Sequence, residues 1–415
     1  MAETRLELQP WMQASATRAV MAALEDAGGP ASARFVGGCV RNTLLKRPVD
    51  DIDIATLLTP DQVMQALKDA DIKSVPTGVE HGTVTAVCEG QPFEITSLRR
   101  DVATDGRRAV VAFSQDWQED ARRRDFRLNA LYMDEQGLVY DPIGHGVSDA
   151  KAGRIVFVGD PMTRIREDYL RILRFFRFQA WYGRGDPDPA AVSACKALKG
   201  TLSGRSAERT SKELLKLLAA EDPRPSLALM QVTGVLAAIL PAVGLQRFDA
   251  LVGIEAGMLY ENDPELRLAA LLPDDPAAVG RAAERLRLSN AQRDRLMAAV
   301  TPEPRIVPWL SPREVRRTVY RGGVRAFHDR VKLAWAALSQ PKLASQWRQL
   351  LAQGESWDMP EFPLTGADAI AVGLPQGPLV GKALQEVEDW WVDEDFPLDR
   401  ALALAQLSRV ALAVS

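Results

Sequence analysis

Two aspartates two residues apart, Asp51 and Asp53, stand in the stretch Asp50-Asp51-Ile52-Asp53-Ile54, downstream of a glycine pair, Gly37-Gly38. Alternate residues of an extended strand share a face. Asp51 and Asp53 therefore project together, while Ile52 and Ile54 turn to a core and Asp50 turns away. Two adjacent carboxylates with no base between them call for a cation. Mg²⁺, which takes carboxylates plus substrate phosphates, suits them best. The glycines let backbone N–H groups approach a phosphate, and a helix opening there adds the positive end of its dipole. Alone, a Gly-Gly is an ordinary turn and an Asp-x-Asp an ordinary solvated strand end. In this order and at this distance they read as a metal-nucleotide site. Glu94, on a strand where Phe93 and Ile95 face inward, is a candidate third carboxylate. Three carboxylates holding two divalent ions about 4 Å apart can activate a hydroxyl and stabilise a leaving pyrophosphate.

A second constellation is rich in arginine. Arg122-Arg123-Arg124, Arg127, Arg164, Arg166, Arg171, Arg174, Arg177 and Arg184 concentrate charge in one region, with no lysine among them. Arginine suits forked contacts with phosphates and base edges. Arg123 and Arg124 could hold a triphosphate, and Asp125 with Asn129 could bond ribose hydroxyls. Asp168 and Arg171, three apart, would share a helical face. A carboxylate acceptor beside a guanidinium donor imitates the pairing edge of a base, accepting an amine such as cytosine N4 or adenine N6. The plainer alternatives are domain-stitching Arg-Asp pairs and a simple i,i+3 ion pair.

The elements that must position these groups follow from periodicity. Residues 11–27 read as a helix with Ala16, Val20, Ala23, Leu24 and Ala27 on one side, ended by Gly28-Gly29-Pro30. A strand over 33–36 feeds the glycine pair, a helix continues over 40–45, and residues 51–55 form the strand carrying the aspartates. Thr59 caps a helix over 61–70 with Val63, Met64 and Leu67 inward. Strand-like runs follow at 83–88, 93–97, 110–113 and 128–134. Beyond about residue 160 strand signals cease, and 163–182, 206–220, 224–240 and 247–259 are helical in period, with breaks at 221–225, 273–276 and 302–312. The fold class is α+β: a mixed-sheet head followed by an all-helical remainder.

At 415 residues the chain is long for one core; its 47% apolar and 26% charged composition is that of an ordinary globular protein. No stretch approaches a membrane span and the N-terminus lacks a signal-peptide plan. Three scattered cysteines, Cys39, Cys88 and Cys195, make no disulfide framework, so a cytoplasmic setting is expected. A net charge of −4 does not announce a nucleic-acid partner.

The motifs occur in an order that resembles a known family, the class II nucleotidyltransferases, comprising CCA-adding tRNA nucleotidyltransferases and bacterial poly(A) polymerases. The resemblance covers residues 30–220. It rests on Gly37-Gly38-Cys39-Val40-Arg41, Asp51-Ile52-Asp53, His81-Gly82-Thr83-Val84 leading to Phe93-Glu94-Ile95-Thr96, Arg123-Arg124-Asp125-Phe126 with Asn129, Asp141-Pro142-Ile143-Gly144, Glu167-Asp168-x-x-Arg171 and Ser206-Ala207-Glu208-Arg209. It implies that Asp51, Asp53 and Glu94 bind catalytic Mg²⁺. It further implies that Gly37, Gly38, Arg41, Arg123, Arg124, Asp125, Asn129, Asp168, Arg171, Arg174 and Arg209 bind the nucleotide, the Asp168/Arg171 pair serving as a protein template for C and then A. Arg99–Arg108 corresponds to a mobile loop that helps to switch between them.

The implied layout is a catalytic head over 1–160, a helical neck over 161–240 and a helical body and tail over 241–415 that hold the tRNA acceptor end. CTP, ATP and tRNA are the expected partners, with no membrane and no DNA. The expected activity is CCA addition, favoured by the Glu80-His81-Gly82-Thr83 segment. Poly(A) synthesis, CC-only or A-only addition, and a non-catalytic tRNA binder are the alternatives. Asn42 stands where the family often has Asp, Tyr169 where Pro is common, and Arg127 where Thr or Ser is usual. In the later chain Arg281, Arg285, Arg287, Arg293, Arg295, Arg313, Arg316, Arg317 and Arg321 either line an RNA surface or are solvated helix faces. Gly366 to Lys382 resembles a helix-turn-helix tail, and Trp390-Trp391 reads as packing.

Overall fold

The computed structural model describes residues 4–79, 82–105, 108–202 and 206–414. Glu80, His81, Gly106 and Arg107, which carry part of the expected motifs, lie outside them. The chain divides into two compact units, Met1–Pro241 and Ala242–Ser415.

The first unit is built on an eight-stranded sheet. Its strands are β1 (Thr4–Arg5), β2 (Ala33–Val36), β3 (Ile52–Thr56), β4 (Lys73–Gly78), β5 (Thr83–Cys88), β6 (Gln91–Ser97), β9 (Tyr132–Met133) and β10 (Leu138–Tyr140), while β7 (Arg99–Asp105) and β8 (Arg108–Phe113) form a separate ribbon. The spatial order is β1-β10-β9-β2-β3-β6-β5-β4, and only the β3–β6 pairing is parallel. That pairing matters most for the site, because its register sets Asp53 opposite Glu94. The inward residues Ile52, Ile54, Phe93 and Ile95 are buried and lock that register.

Helices α1 (Pro10–Gln13) and α2 (Ser15–Gly28) precede β2. The single expected helix is broken at Ala14, whose ψ of 141° is extended. Helix α3 (Gly38–Leu44) opens directly from the β2 end, and α4 (Pro60–Asp69) starts from a capping box of Thr59 with Gln62. Helices α2 and α4 pack on each other and over β5. One strand assignment changes: the 128–134 run is a 3₁₀ turn over Arg127–Asn129 leading to the two-residue β9. Most of the segment likened to a mobile loop lies in β7, which pairs with β8.

After α5 (Trp117–Arg122) and α6 (Gly146–Ala152) the unit is helical: α7 (Pro161–Glu167), α8 (Arg171–Tyr182), α9 (Pro189–Leu198), α10 (Ala207–Leu218), α11 (Arg224–Thr233) and α12 (Val235–Ile239). Gly234, at φ 77°, separates the last two where one helix was expected. Rings of Phe126, Phe157, Phe175 and Phe178 cluster with centroids 4.8 to 6.5 Å apart, tying the turn after α5 to α8.

The second unit comprises α13 (Leu245–Met258), α14 (Pro264–Leu271), α15 (Pro276–Leu286), α16 (Asn290–Ala299), α17 (Pro312–Leu338, broken at Gly323 where φ is 80°), α18 (Ala344–Ser356), α19 (Gly366–Ala371), α20 (Pro378–Asp393) and α21 (Arg400–Val414). Trp391 is buried against Tyr320, Phe362 and Phe396, which makes it a packing residue. Several of the later arginines are bound internally. Arg316, Arg317 and Arg321 pair with Asp395, Asp393 and Asp389, and Arg295 pairs with Asp263, Glu265 and Asp329. These guanidiniums stitch helices together, so an RNA face built from them would have to compete with carboxylates already in place.

Candidate active site

Asp51 immediately precedes β3 and is exposed, Asp53 is half-buried one pleat further on, and Glu94 is exposed on the neighbouring strand. Asp53 and Glu94 lie opposite each other on one face of the β3–β6 pair, and the Asp51 charge is near enough to act on Asp53. Burial pushes the Asp53 carboxyl up to about 6, and the like charges of Glu94 and Asp51 add to the rise, while Arg124 and Arg41 oppose it. A face that penalises its own negative charge fits a divalent cation. Among the described residues no three metal-ligating side chains form a ready-made cage. Mg²⁺ does not require one, since it commonly takes one or two carboxylates and completes its shell with water and phosphate.

The glycine pair frames the same face. Gly37 has φ 71° and ψ −115°, a conformation open to glycine, and a Cβ placed there would lie 3.6 Å from Nη1 of Arg124. Behind the turn, the buried Arg41 donates from Nη1 to Asn129 Oδ1 (2.5 Å), from Nη2 to the Tyr182 hydroxyl (2.7 Å), and from Nε and Nη2 to Asn42 Oδ1. Asn42 thus replaces the usual aspartate with hydrogen bonds. Arg41 supports the site from inside the fold and is not displayed on its surface.

Arg123 and Arg124 grip a residue that the motif reading passed over. Asp120, with 0% exposure, accepts from Arg123 Nε at 2.8 Å, Arg124 Nη2 at 3.1 Å and the Tyr132 hydroxyl at 2.6 Å. Burial alone would raise its carboxyl, yet Arg124 and Arg123 hold it down at about 2. Its spacing of three and four residues from the arginines, the ordinary helical pair spacing, was the available signal. Asp125 is likewise held at about 2 against the effect of burial, first by Arg174 and then by Asn129. Its Oδ2 accepts from Arg174 Nε at 2.8 Å, and its Oδ1 accepts from Asn129 Nδ2 at 3.1 Å. Both residues expected at the ribose are therefore already bonded within the protein. Arg174 also faces Glu213, which accepts from Arg177 Nε at 2.6 Å.

The supposed continuous helix over 163–182 is two. α7 ends at Glu167, Asp168 is extended (φ −148°, ψ 105°), and α8 starts at Arg171. The side chain of Asp168 accepts from the Leu170 N–H, and its carbonyl accepts from the Arg171 N–H. Asx-type bonding of this kind competes with helix and resets the chain direction. Asp168 and Arg171 are consequently not stacked on one helical face. Asp168 Oδ2 accepts from Arg209 Nη2 at 2.8 Å, whereas Arg171 Nη1 donates to Glu167 Oε2 at 2.6 Å. Arg164, from α7, pairs with Glu167 and donates to the carbonyls of Arg123 and Arg124, bracing the arginine turn.

A cavity of about 460 Å³ brings most of these groups together. Arg124, Asp125, Asp168, Leu170, Arg171, Arg174, Arg209, Lys212, Glu213 and Lys216 line it. Six of the expected nucleotide-binding residues are among them. Lys212, Glu213 and Lys216, which share the Arg209 side of α10, were not anticipated.

Residues 33–156 match the family described as Poly A polymerase head domain, and residues 186–245 match the one described as Probable RNA and SrmB- binding site of polymerase A. The mitochondrial CCA tRNA nucleotidyltransferase 1 of Danio rerio is 32% identical over 91% of this chain and 87% of its own. The CCA-adding enzyme of Limosilactobacillus fermentum is 33% identical over 88% of this chain and 90% of its own. Among solved structures, the Bacillus stearothermophilus CCA-adding enzyme in complex with CTP superposes with a TM-score of 0.77 at 27% identity, covering 98% of this chain and 99% of the other.

Proposed function

Because this chain belongs to the CCA tRNA nucleotidyltransferase family, we propose that it transfers CMP and then AMP from CTP and ATP to the tRNA 3′ end, releasing pyrophosphate. The observation that carries this reading is the 460 Å³ cavity, where Arg124 and Asp125 meet the base-reading pair Asp168 and Arg171 together with Arg209. Asp51, Asp53 and Glu94 would hold Mg²⁺, which when bound would promote ionisation of the 3′-hydroxyl and neutralise the departing pyrophosphate.

The remaining work falls to the chain itself. Arg124, fixed by Asp120 and beside Gly37, offers a positive charge to the triphosphate. Asp168 accepts the exocyclic amine of cytosine or adenine, and Arg171 donates to a ring nitrogen or carbonyl. Guanine and uracil present the reversed pattern and leave the carboxylate without a donor, which is where discrimination arises. Arg209 and Glu167 hold this pair in place. Head, neck and body would occupy 1–160, 161–240 and 241–415.

Poly(A) synthesis is the second reading, favoured by the name of the family that residues 33–156 match. Cys39, Cys88 and Cys195 are free thiols, and no helix among the described residues is long and apolar enough to cross a membrane. The free thiols support a reducing compartment, such as the cytoplasm, for the activity.

The deciding experiment offers tRNA transcripts ending before CCA, after CC and after CCA to each nucleoside triphosphate, and then to CTP with ATP. CC followed by a single A and arrest supports the proposal. Long ATP-only tails establish the second reading, and absence of incorporation with retained tRNA binding refutes both.

A further inference from the structure

The cations lining the cavity are not equivalent. Arg124 is matched by Asp120, Arg171 by Glu167, Arg174 by Asp125 and Glu213, and Arg209 by Asp168. Lys212 and Lys216 are exposed, line the same cavity, and pair with no carboxylate among the described residues. They stand one turn apart on α10, so about 6 Å separates them along the helix axis, and Lys216 lies roughly 10 Å along α10 from Arg209. Because Arg209 touches Asp168, the lysines extend away from the base-reading pair, along the helix that packs on α8.

A second observation lies at the far end of that line. Trp181, 37% exposed, donates its indole N–H to the Lys216 carbonyl at 2.7 Å, and its own carbonyl accepts from Arg47 Nη1 at 2.7 Å. An exposed aromatic ring pinned at its edge beside cations has the make-up of a stacking platform for single-stranded nucleic acid.

We propose that Lys212, Lys216 and Trp181 form a subsite for the single-stranded 3′ segment of the RNA that receives the nucleotide. The lysines take its phosphates and the indole takes a base. This inference rests on the nucleotidyl-transfer reading above. The triphosphate has its own anchorage at the carboxylate face and Arg124, and the arginines that read the base are already neutralised. The unpaired positive charge is therefore left for a different anion. Arginine in these two positions would serve equally for phosphate contact, since the requirement is charge and not a fork.

The test compares full-length wild type, the K212Q/K216Q double variant, the K212R/K216R double variant and W181L, using tRNA transcripts lacking CCA, with CTP varied separately. For K212Q/K216Q the KM for RNA rises on the order of ten-fold at 0.1 M salt, and the slope of log affinity against log salt falls by about 1.4, the single-strand value for two lost phosphate contacts. KM for CTP stays within about two-fold, and kcat at saturating RNA changes less than the RNA KM. K212R/K216R restores wild-type behaviour, and W181L raises the RNA KM about five-fold or more without changing the salt slope. An unchanged RNA KM and salt slope in K212Q/K216Q overturns the subsite, as does a rise confined to the CTP KM, which would assign the lysines to the triphosphate. If wild type incorporates no CTP, the parent reading fails, and the salt slope of RNA binding still decides the subsite.

Discussion

Asp120→Asn removes one negative charge from beneath Arg123 and Arg124 and keeps the shape of the side chain. In wild type this carboxylate is fully buried and receives Arg123, Arg124 and the Tyr132 hydroxyl. Breaking a buried ion pair by removing one partner costs about 3–5 kcal/mol, because the remaining charges stay desolvated. The pH dependence gives a separate handle. A folded-state carboxyl near 2, against an ordinary 3.8, contributes about 2 kcal/mol. The folded value is depressed, so that contribution is complete above pH 4 to 5 and is lost as pH falls through 4 toward 2. The variant lacks it at every pH. Urea unfolding of both proteins from pH 7 to pH 3 should show a gap of about 3–5 kcal/mol at neutrality that narrows on acidification. Arg124, released from its anchor, should raise the CTP KM about ten-fold, the effect of losing one or so charge-assisted hydrogen bonds. Equal unfolding midpoints at pH 7, or a gap that does not change with pH, would refute the anchoring role.

Other perturbations bear on neighbouring parts of the site. Asp51→Ala with Asp53→Ala should lower incorporation at least about 10³-fold while tRNA affinity in a filter-binding assay stays near wild type; surviving activity would remove the metal assignment. Glu167→Gln leaves Arg171 without its anion, and competition between CTP and UTP should show discrimination relaxed about ten-fold, with CTP incorporation still measurable. Gly37→Ala places a Cβ at φ 71°, costing roughly 1–3 kcal/mol, and thermal unfolding should register the loss together with weaker CTP binding.

Local chemistry made the head legible in sequence. Thr59 marked a helix start, the alternation of Ile52, Asp53 and Ile54 marked a strand with one buried face, and the glycine pair marked the turn between β2 and α3. What could not be read was pairing across distance. Nothing near Asp53 states that Glu94 will lie opposite it in a parallel register, which depends on the whole crossover between the strands. The resemblance put Arg41 among the nucleotide-binding residues, yet the Asn129 and Tyr182 that bond it are 88 and 141 residues away. The 163–182 segment was apolar at helical period throughout. The side-chain bond from Asp168 to the Leu170 N–H, which breaks it, leaves no trace in periodicity.

That break has a mechanical consequence. Asp168 sits outside both helices, so its backbone is held by neither ladder, and its carboxylate is placed by the Leu170 N–H and Arg209. Arg209 reaches it from another helix through a flexible side chain, and Arg171 is secured separately. On the proposed reading, Asp168 and Arg171 meet a pyrimidine and then a purine, and the interruption between the two helices lets the carboxylate be held by one set of partners and the guanidinium by another.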